Sequence, residues 1–292
     1  MKKSLTLGMA IASATIVLSF LPTHSVEAAN NTSNVMTGPG FDACTDTLTP
    51  AKIAAFWDFS PYWTAGTYFG GLAANCDLNA PGASGIVLKQ LSDAQFETIA
   101  YWVDYQSRCR GGSVNGTNAW TLGQDSGSRA VVDAAADLLD PGSTLVLDIE
   151  VYNGIGNDCD YEMYNFALSW STYVHAHGYK AVIYADDLNA VAFMNSDAYL
   201  YQFYNGNHDR FDGIIMVGLA GNNNNPSVDN LPDSYDHYYL GRRAHQYWLD
   251  RWQTFDGQTM KIDNLCMRGL WTNGTANYFY PNYGGIVCTT IY

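Results

Sequence analysis

Six residues constrain the fold of this chain more than any others. Thr144-Leu145-Val146-Leu147-Asp148-Ile149 is almost continuously apolar, as expected of a β-strand buried on both faces rather than one alternating between core and water. Such a strand needs a layer on each side, and the flanking sequence offers helices. Residues 128–139 set Val131, Val132, Ala135, Leu138 and Leu139 on one helical face, and residues 161–176 are also amphipathic. The second helix stops at His177-Gly178, and residues 180–184 begin a new strand. Further strand-like segments lie at 40–44, 66–69, 98–104, 214–219, 245–249 and 260–262, which makes eight. Alternating strands and helices predict a parallel sheet, and eight strands predict its closure. The expected fold class is α/β, a TIM-like (β/α)8 barrel with a small C-terminal β appendage.

The ends of the chain read differently. Lys2 and Lys3 precede a mostly apolar stretch that Pro22 breaks, followed by Val26-Glu27-Ala28-Ala29. Residues 1–29 are therefore expected to be a secretory signal peptide. The barrel is expected over 30–269, with residues 220–241 as one long loop. Residues 270–292 are rich in Tyr, Gly and Asn, lack a helical period and read as a C-terminal β extension. Six cysteines (Cys44, Cys76, Cys109, Cys159, Cys266 and Cys288) suit disulfides in an exported protein, with fifteen pairings open; a Cys266–Cys288 bridge would close the tail.

Lys and Arg number 14 against 28 Asp and Glu, a net charge of −14. That balance excludes a nucleic-acid binder working by phosphate neutralisation and argues against adhesion to anionic lipid. The expected protein is secreted, to the extracellular space or the cell wall of a bacterium. It is expected to be monomeric, free of nucleic acid and of membrane once the signal is cleaved, and to need no cofactor or metal.

The chemistry concentrates at Asp148-Ile149-Glu150. Side chains alternate along a strand, so both carboxylates share a face. In a barrel that face is the interior, at the C-terminal mouth where such barrels place their active sites. Two crowded carboxylates repel, so one holds its proton to higher pH, as glycoside hydrolysis by an acid/base pair requires. A cation site built from Asp42, Asp148 and Asp263 would use the same residue types. Asp42 and Asp263 lie near the ends of the first and last strands, which adjoin in a closed barrel. Tyr68, Tyr105, Tyr152, Tyr184, Tyr247 and Trp248 fall at or just after strand ends, where aromatic faces could stack on sugar rings. The sequence carries no H-E-x-x-H, no G-x-S-x-G and no dinucleotide-binding glycine fingerprint.

Together these segments resemble a bacterial secreted glycoside-hydrolase-like TIM-barrel family distantly related to the family 25 muramidases. The resemblance is carried by Gly40-Phe41-Asp42-Ala43-Cys44, Tyr68-Phe69-Gly70-Gly71, Leu147-Asp148-Ile149-Glu150-Val151-Tyr152, His175-Ala176-His177-Gly178-Tyr179, His245-Gln246-Tyr247 and Ile262-Asp263-Asn264. It implies hydrolysis of cell-wall polysaccharide, with peptidoglycan as the substrate. Glu150 would be the general acid, Asp148 would stay ionised and assist it, and Asp42 would complete the catalytic set. Asp263, Tyr184, Gln246, Tyr152 and Tyr68 would bind sugar. The resemblance further implies the pairs Cys44–Cys76 and Cys109–Cys159, leaving Cys266 to Cys288. The chain departs from the family at its sixth strand, where Ile214-Ile215-Met216-Val217-Gly218 lacks the two tryptophans of a Trp-Ile-Ala-x-Trp pattern. A sugar-stacking platform is expected to be missing there, so a non-catalytic glycan-binding or envelope-modulating barrel is the alternative function.

Overall fold

The computed structural model describes residues 33–74, 76, 83–152, 158–186, 211–217, 243–274 and 288. The expected signal peptide, the 220–241 loop and nearly all of the tail beyond 274 lie outside the described residues. Eight strands close into one barrel in chain order: β1 (Ser33–Asp42), β2 (Thr64–Gly70), β3 (Glu97–Val103), β4 (Thr144–Ile149), β5 (Lys180–Asp186), β6 (Gly213–Val217), β7 (Arg243–Phe255) and β8 (Gln258–Asn273). Helices α1 (Pro50–Phe59), α2 (Ala83–Asp93), α3 (Ala119–Ala136) and α4 (Asp158–Ala176) cover its outside. No described helix is long and apolar enough to cross a membrane.

The closed α/β barrel expected from the sequence is present, with one correction. The sheet is not parallel throughout, because β8 runs antiparallel to both β7 and β1. The reason is local. Asp256 and Gly257 both take positive φ, 43° and 72°, which gives a two-residue hairpin turn instead of a helical crossover. β8 also runs unbroken across the 269/270 boundary expected from the sequence.

Alternation along β4 sorts the core into two layers. Leu145, Leu147 and Ile149 pack outward in a cluster that includes Phe166, Ala167 and Trp170 of α4. Val146 points inward, among Ile99, Val182, Ile215 and Leu265. α3 can lie close on α4 because Gly123 leaves room: a Cβ there would stand 2.4 Å from the Phe166 carbonyl oxygen. A third cluster, around Phe41, Phe56, Tyr62 and Phe96, fills the space under α1.

Candidate active site

The inward row of β4 places Asp148 one step above Val146, buried at 1% exposure. Glu150 follows just past the strand end. Its side chain is about a third exposed, and it lines a cleft of ≈ 240 Å³ at the C-terminal mouth. Asp42 and Asp263 line the same cleft. They are direct cross-strand partners on the β1–β8 seam, a juxtaposition of like charges that costs stability unless protons or donors intervene. One donor does intervene. The Gln246 side-chain amide donates to Asp42 Oδ2 at 2.9 Å and lies 3.4 Å from Asp263 Oδ2. Tyr184 Oη donates to Gln246 Oε1 at 2.5 Å, which fixes that amide's orientation.

Tyrosines floor the site. Tyr68, at the cleft, donates its hydroxyl to Asp148 Oδ2 at 2.8 Å. Its ring lies 5.5 Å from that of Tyr101, which in turn meets the ring of Tyr184 edge-on at 5.7 Å. Gly66 admits Tyr101: a Cβ at that position would stand 2.6 Å from the ring and 2.8 Å from Asp42 Cβ.

Burial governs the proton distribution. Desolvation, then the charge of Glu150, pushes the Asp148 carboxyl up to about 8, against the hydrogen bond from Tyr68 and the charge of Arg110. Desolvation together with Asp263 raises Asp42 well above the carboxylate range. Asp263, half-buried and receiving the Asp250 amide proton, rises by desolvation to about 6. Glu150 instead holds Arg110 in an ion pair at 2.8 Å. The two carboxylates of the pair thus stand in different surroundings. In the free protein the buried Asp148 carboxyl keeps its proton at neutral pH, because it bears the desolvation penalty.

Of the residues named from sequence, Glu150, Asp42, Asp263 and Tyr68 line the cleft, and Asp148, Tyr184 and Gln246 support it from below. Tyr152 does not join them. Its ring lies in the outer core layer, and its hydroxyl donates to Asp160 of α4 at 2.8 Å. The side chain that follows Glu150 by two residues is past the strand end, so strand alternation no longer directs it to the mouth. The three disulfides form as the resemblance implied: Cys44–Cys76, Cys109–Cys159 and Cys266–Cys288.

Sequence reasoning missed four residues. Tyr101 and Lys261 could have been found, because each lies an even number of positions from a residue that faces the site along its own strand. Gln106 and Arg110 sit in the loop after β3, where no periodicity applies. The Gln106 side chain accepts the Glu150 amide proton at 3.0 Å and donates to the Asp148 carbonyl at 3.1 Å, clamping the backbone that carries both carboxylates. Arg110 belongs to a 3₁₀ turn, Arg108–Arg110, tied to α4 by the Cys109–Cys159 bridge.

A family model described as the Rv2525c-like, glycoside hydrolase-like domain matches residues 55–266. No curated protein matches the chain. Similar solved structures include an uncharacterized B. stearothermophilus protein, 13% identical with a TM-score of 0.49, over 79% of this chain and 95% of that one. Another is GHIP, a glycosyl hydrolase 25 of Streptococcus pneumoniae, 14% identical with a TM-score of 0.47, over 79% of this chain and 86% of that one. The Clostridium perfringens spore cortex lytic enzyme SleM is 11% identical with a TM-score of 0.47, over 80% of this chain and 68% of that one.

Proposed function

The chain belongs to the Rv2525c-like, glycoside hydrolase-like domain family, and from that premise we propose that it is an exported hydrolase that cleaves cell-wall polysaccharide, peptidoglycan being the substrate class. One observation carries the reading: a partly exposed carboxylate, Glu150, stands in the wall of an acidic cleft above a buried partner, Asp148, that holds a proton at neutral pH. Such a pair keeps one acid and one base at a single site. Hydrolysis adds one water across the glycosidic bond. As the glycosidic C–O bond breaks, the leaving oxygen takes a proton from Glu150, the anomeric carbon takes hydroxide from the water, and the water's remaining proton returns to the Asp148–Glu150 pair. Glu150 becomes the acid when the bound sugar displaces Arg110 and water and it takes up the proton that Asp148 releases. Asp263 then faces the positive charge that develops on the ring, with the protonated Asp42 beside it, and Tyr68 holds the ionised Asp148. Three disulfides and the expected signal peptide support export.

The test is release of reducing ends from purified peptidoglycan and from neutral polysaccharides. Glu150→Gln is expected to lower the rate by roughly 100-fold or more, and Asp148→Asn to lower it as well, with both variants still folded. Wild-type rates in Glu150→Gln would remove that residue from the mechanism. The Arg110–Glu150 ion pair favours a second reading, a glycan-binding barrel without catalysis. Tight binding with no release from any polymer would select it.

A further inference from the structure

β7 and β8 continue past the barrel as a two-stranded hairpin, and its two faces differ. One face packs on α1: Tyr62 Oη donates to Gln253 Oε1 at 2.7 Å, the Phe255 ring lies 4.9 Å from that of Phe56, and Met260 and Ile262 are buried on the same side. Alternation puts Trp252 on the other face, paired with Lys261. Lys261 and Asp263, two positions apart on that face, both line the cleft. Trp252 is nevertheless 70% exposed. It therefore presents a bare indole on the wall that continues the cleft outward, where water would otherwise meet a polar surface.

The cation across the strand pair from the ring is already matched. Asp250, turned by a bulge with φ 59°, holds Lys261 in an ion pair at 2.5 Å. What remains is a flat apolar ring flanked by polar groups that can still exchange hydrogen bonds. This suits a pyranose, whose C–H face is apolar and whose rim carries hydroxyls. It does not suit capture of an ion. The sixth strand, β6, lacks the tryptophans that would stack a sugar elsewhere in the barrel.

We propose that Trp252 is the platform of a second sugar site, which takes an uncharged pyranose ring of a polymeric glycan one or more units out from the ring held at Glu150. This rests on the reading of the cleft as a glycan site. It predicts that the protein measures chain length: short oligomers fill only the mouth, whereas longer ones also reach the hairpin.

The probe is a series of N-acetylglucosamine oligomers, two to six units long, titrated into Glu150→Gln protein so that hydrolysis does not consume them. Affinity is expected to rise with length. Adding Trp252→Ala should weaken the longest oligomers by about threefold to tenfold while sparing the dimer. Trp252→Phe should restore most of the loss. Because the side chain is exposed, the melting temperature should not move. If Trp252→Ala leaves the length dependence intact, or weakens dimer and hexamer equally, the platform is overturned while the cleft reading stands. If no oligomer binds even with Trp252 present, the glycan reading falls and the platform with it.

Discussion

Asp148 combines the strongest burial in the site with the least compensation. Its Oδ2 accepts the Tyr68 hydroxyl, and its Oδ1 is buried without a hydrogen-bond partner, so removing the proton exposes a charge to a poorly solvating interior. The folded state consequently binds that proton more tightly than the unfolded chain, in which Asp titrates near 3.9. For a group raised in this way, the stabilisation is complete below the unfolded value and is lost as pH climbs through the folded one. For Asp148 the loss runs up to about 8. Asp263 and Asp137 add losses reaching about 6, and Asp42 shifts in the same direction. Asp212 works oppositely: held low by His175 and the Ala181 amide, it loses its contribution only under acid conditions. The expected profile is a melting temperature that falls steadily from about pH 5 to pH 9. Asp148→Asn, which keeps an oxygen for Tyr68 to bond, should overtake wild type at pH 9 by at least about 1.4 kcal/mol, the equivalent of one pKa unit. Thermal melts of both proteins across that range check this, and parallel declines would show that Asp148 is not the source.

At the scale of the element, legibility followed the physics that shaped each segment. β4 could be read to the residue because burial on both faces leaves an uninterrupted apolar run, and its last inward positions gave Asp148 and Glu150 directly. Of the outer half of the β7–β8 hairpin only residues 260–262 were read as strand. Beyond Leu249 the strands leave the barrel, so Asp250-Arg251-Trp252-Gln253-Thr254 shows no apolar run, although the Asp256-Gly257 pair was a usable hairpin signal. α1 was missed despite Thr49 and Pro50, a cap and first-turn pair that the structure uses. The arrival of Arg110 at Glu150 was beyond any local pattern, because a non-local tether holds its loop. That tether is testable. Cys109–Cys159 closes a sequence separation of 50 residues, and loops of that size are worth about 2–4 kcal/mol. The Cys109→Ser, Cys159→Ser double variant should lose about that much in denaturant unfolding, and the Arg110 contact should loosen with it. A loss below about 1 kcal/mol would mean that Arg108, paired with Glu162 at 2.7 Å, is enough to hold the loop.

The whole molecule sets a different constraint, because it carries a net charge of −14 and places its carboxylates at the mouth that a substrate must enter. Bacterial wall polymers that carry phosphate or carboxylate groups share that sign. At about 10 mM salt the Debye length is roughly 30 Å, long enough for the whole acidic surface to repel such a polymer; at about 150 mM it is roughly 8 Å, and only groups in the cleft are felt. Among the described residues, Arg110 on Glu150 and Lys261 on Asp250 are cations at the cleft, each already paired. The balance over distance therefore favours repulsion. Association with peptidoglycan that retains its anionic polymers should strengthen roughly severalfold as salt rises from about 10 mM to about 150 mM, whereas binding of neutral N-acetylglucosamine oligomers should barely change. A cosedimentation series in both salts, repeated on peptidoglycan stripped of those polymers, separates the terms. If binding of the intact wall weakens with salt instead, the local field of Arg110 and Lys261 outweighs the global charge, and the cleft selects for an acidic group on the glycan.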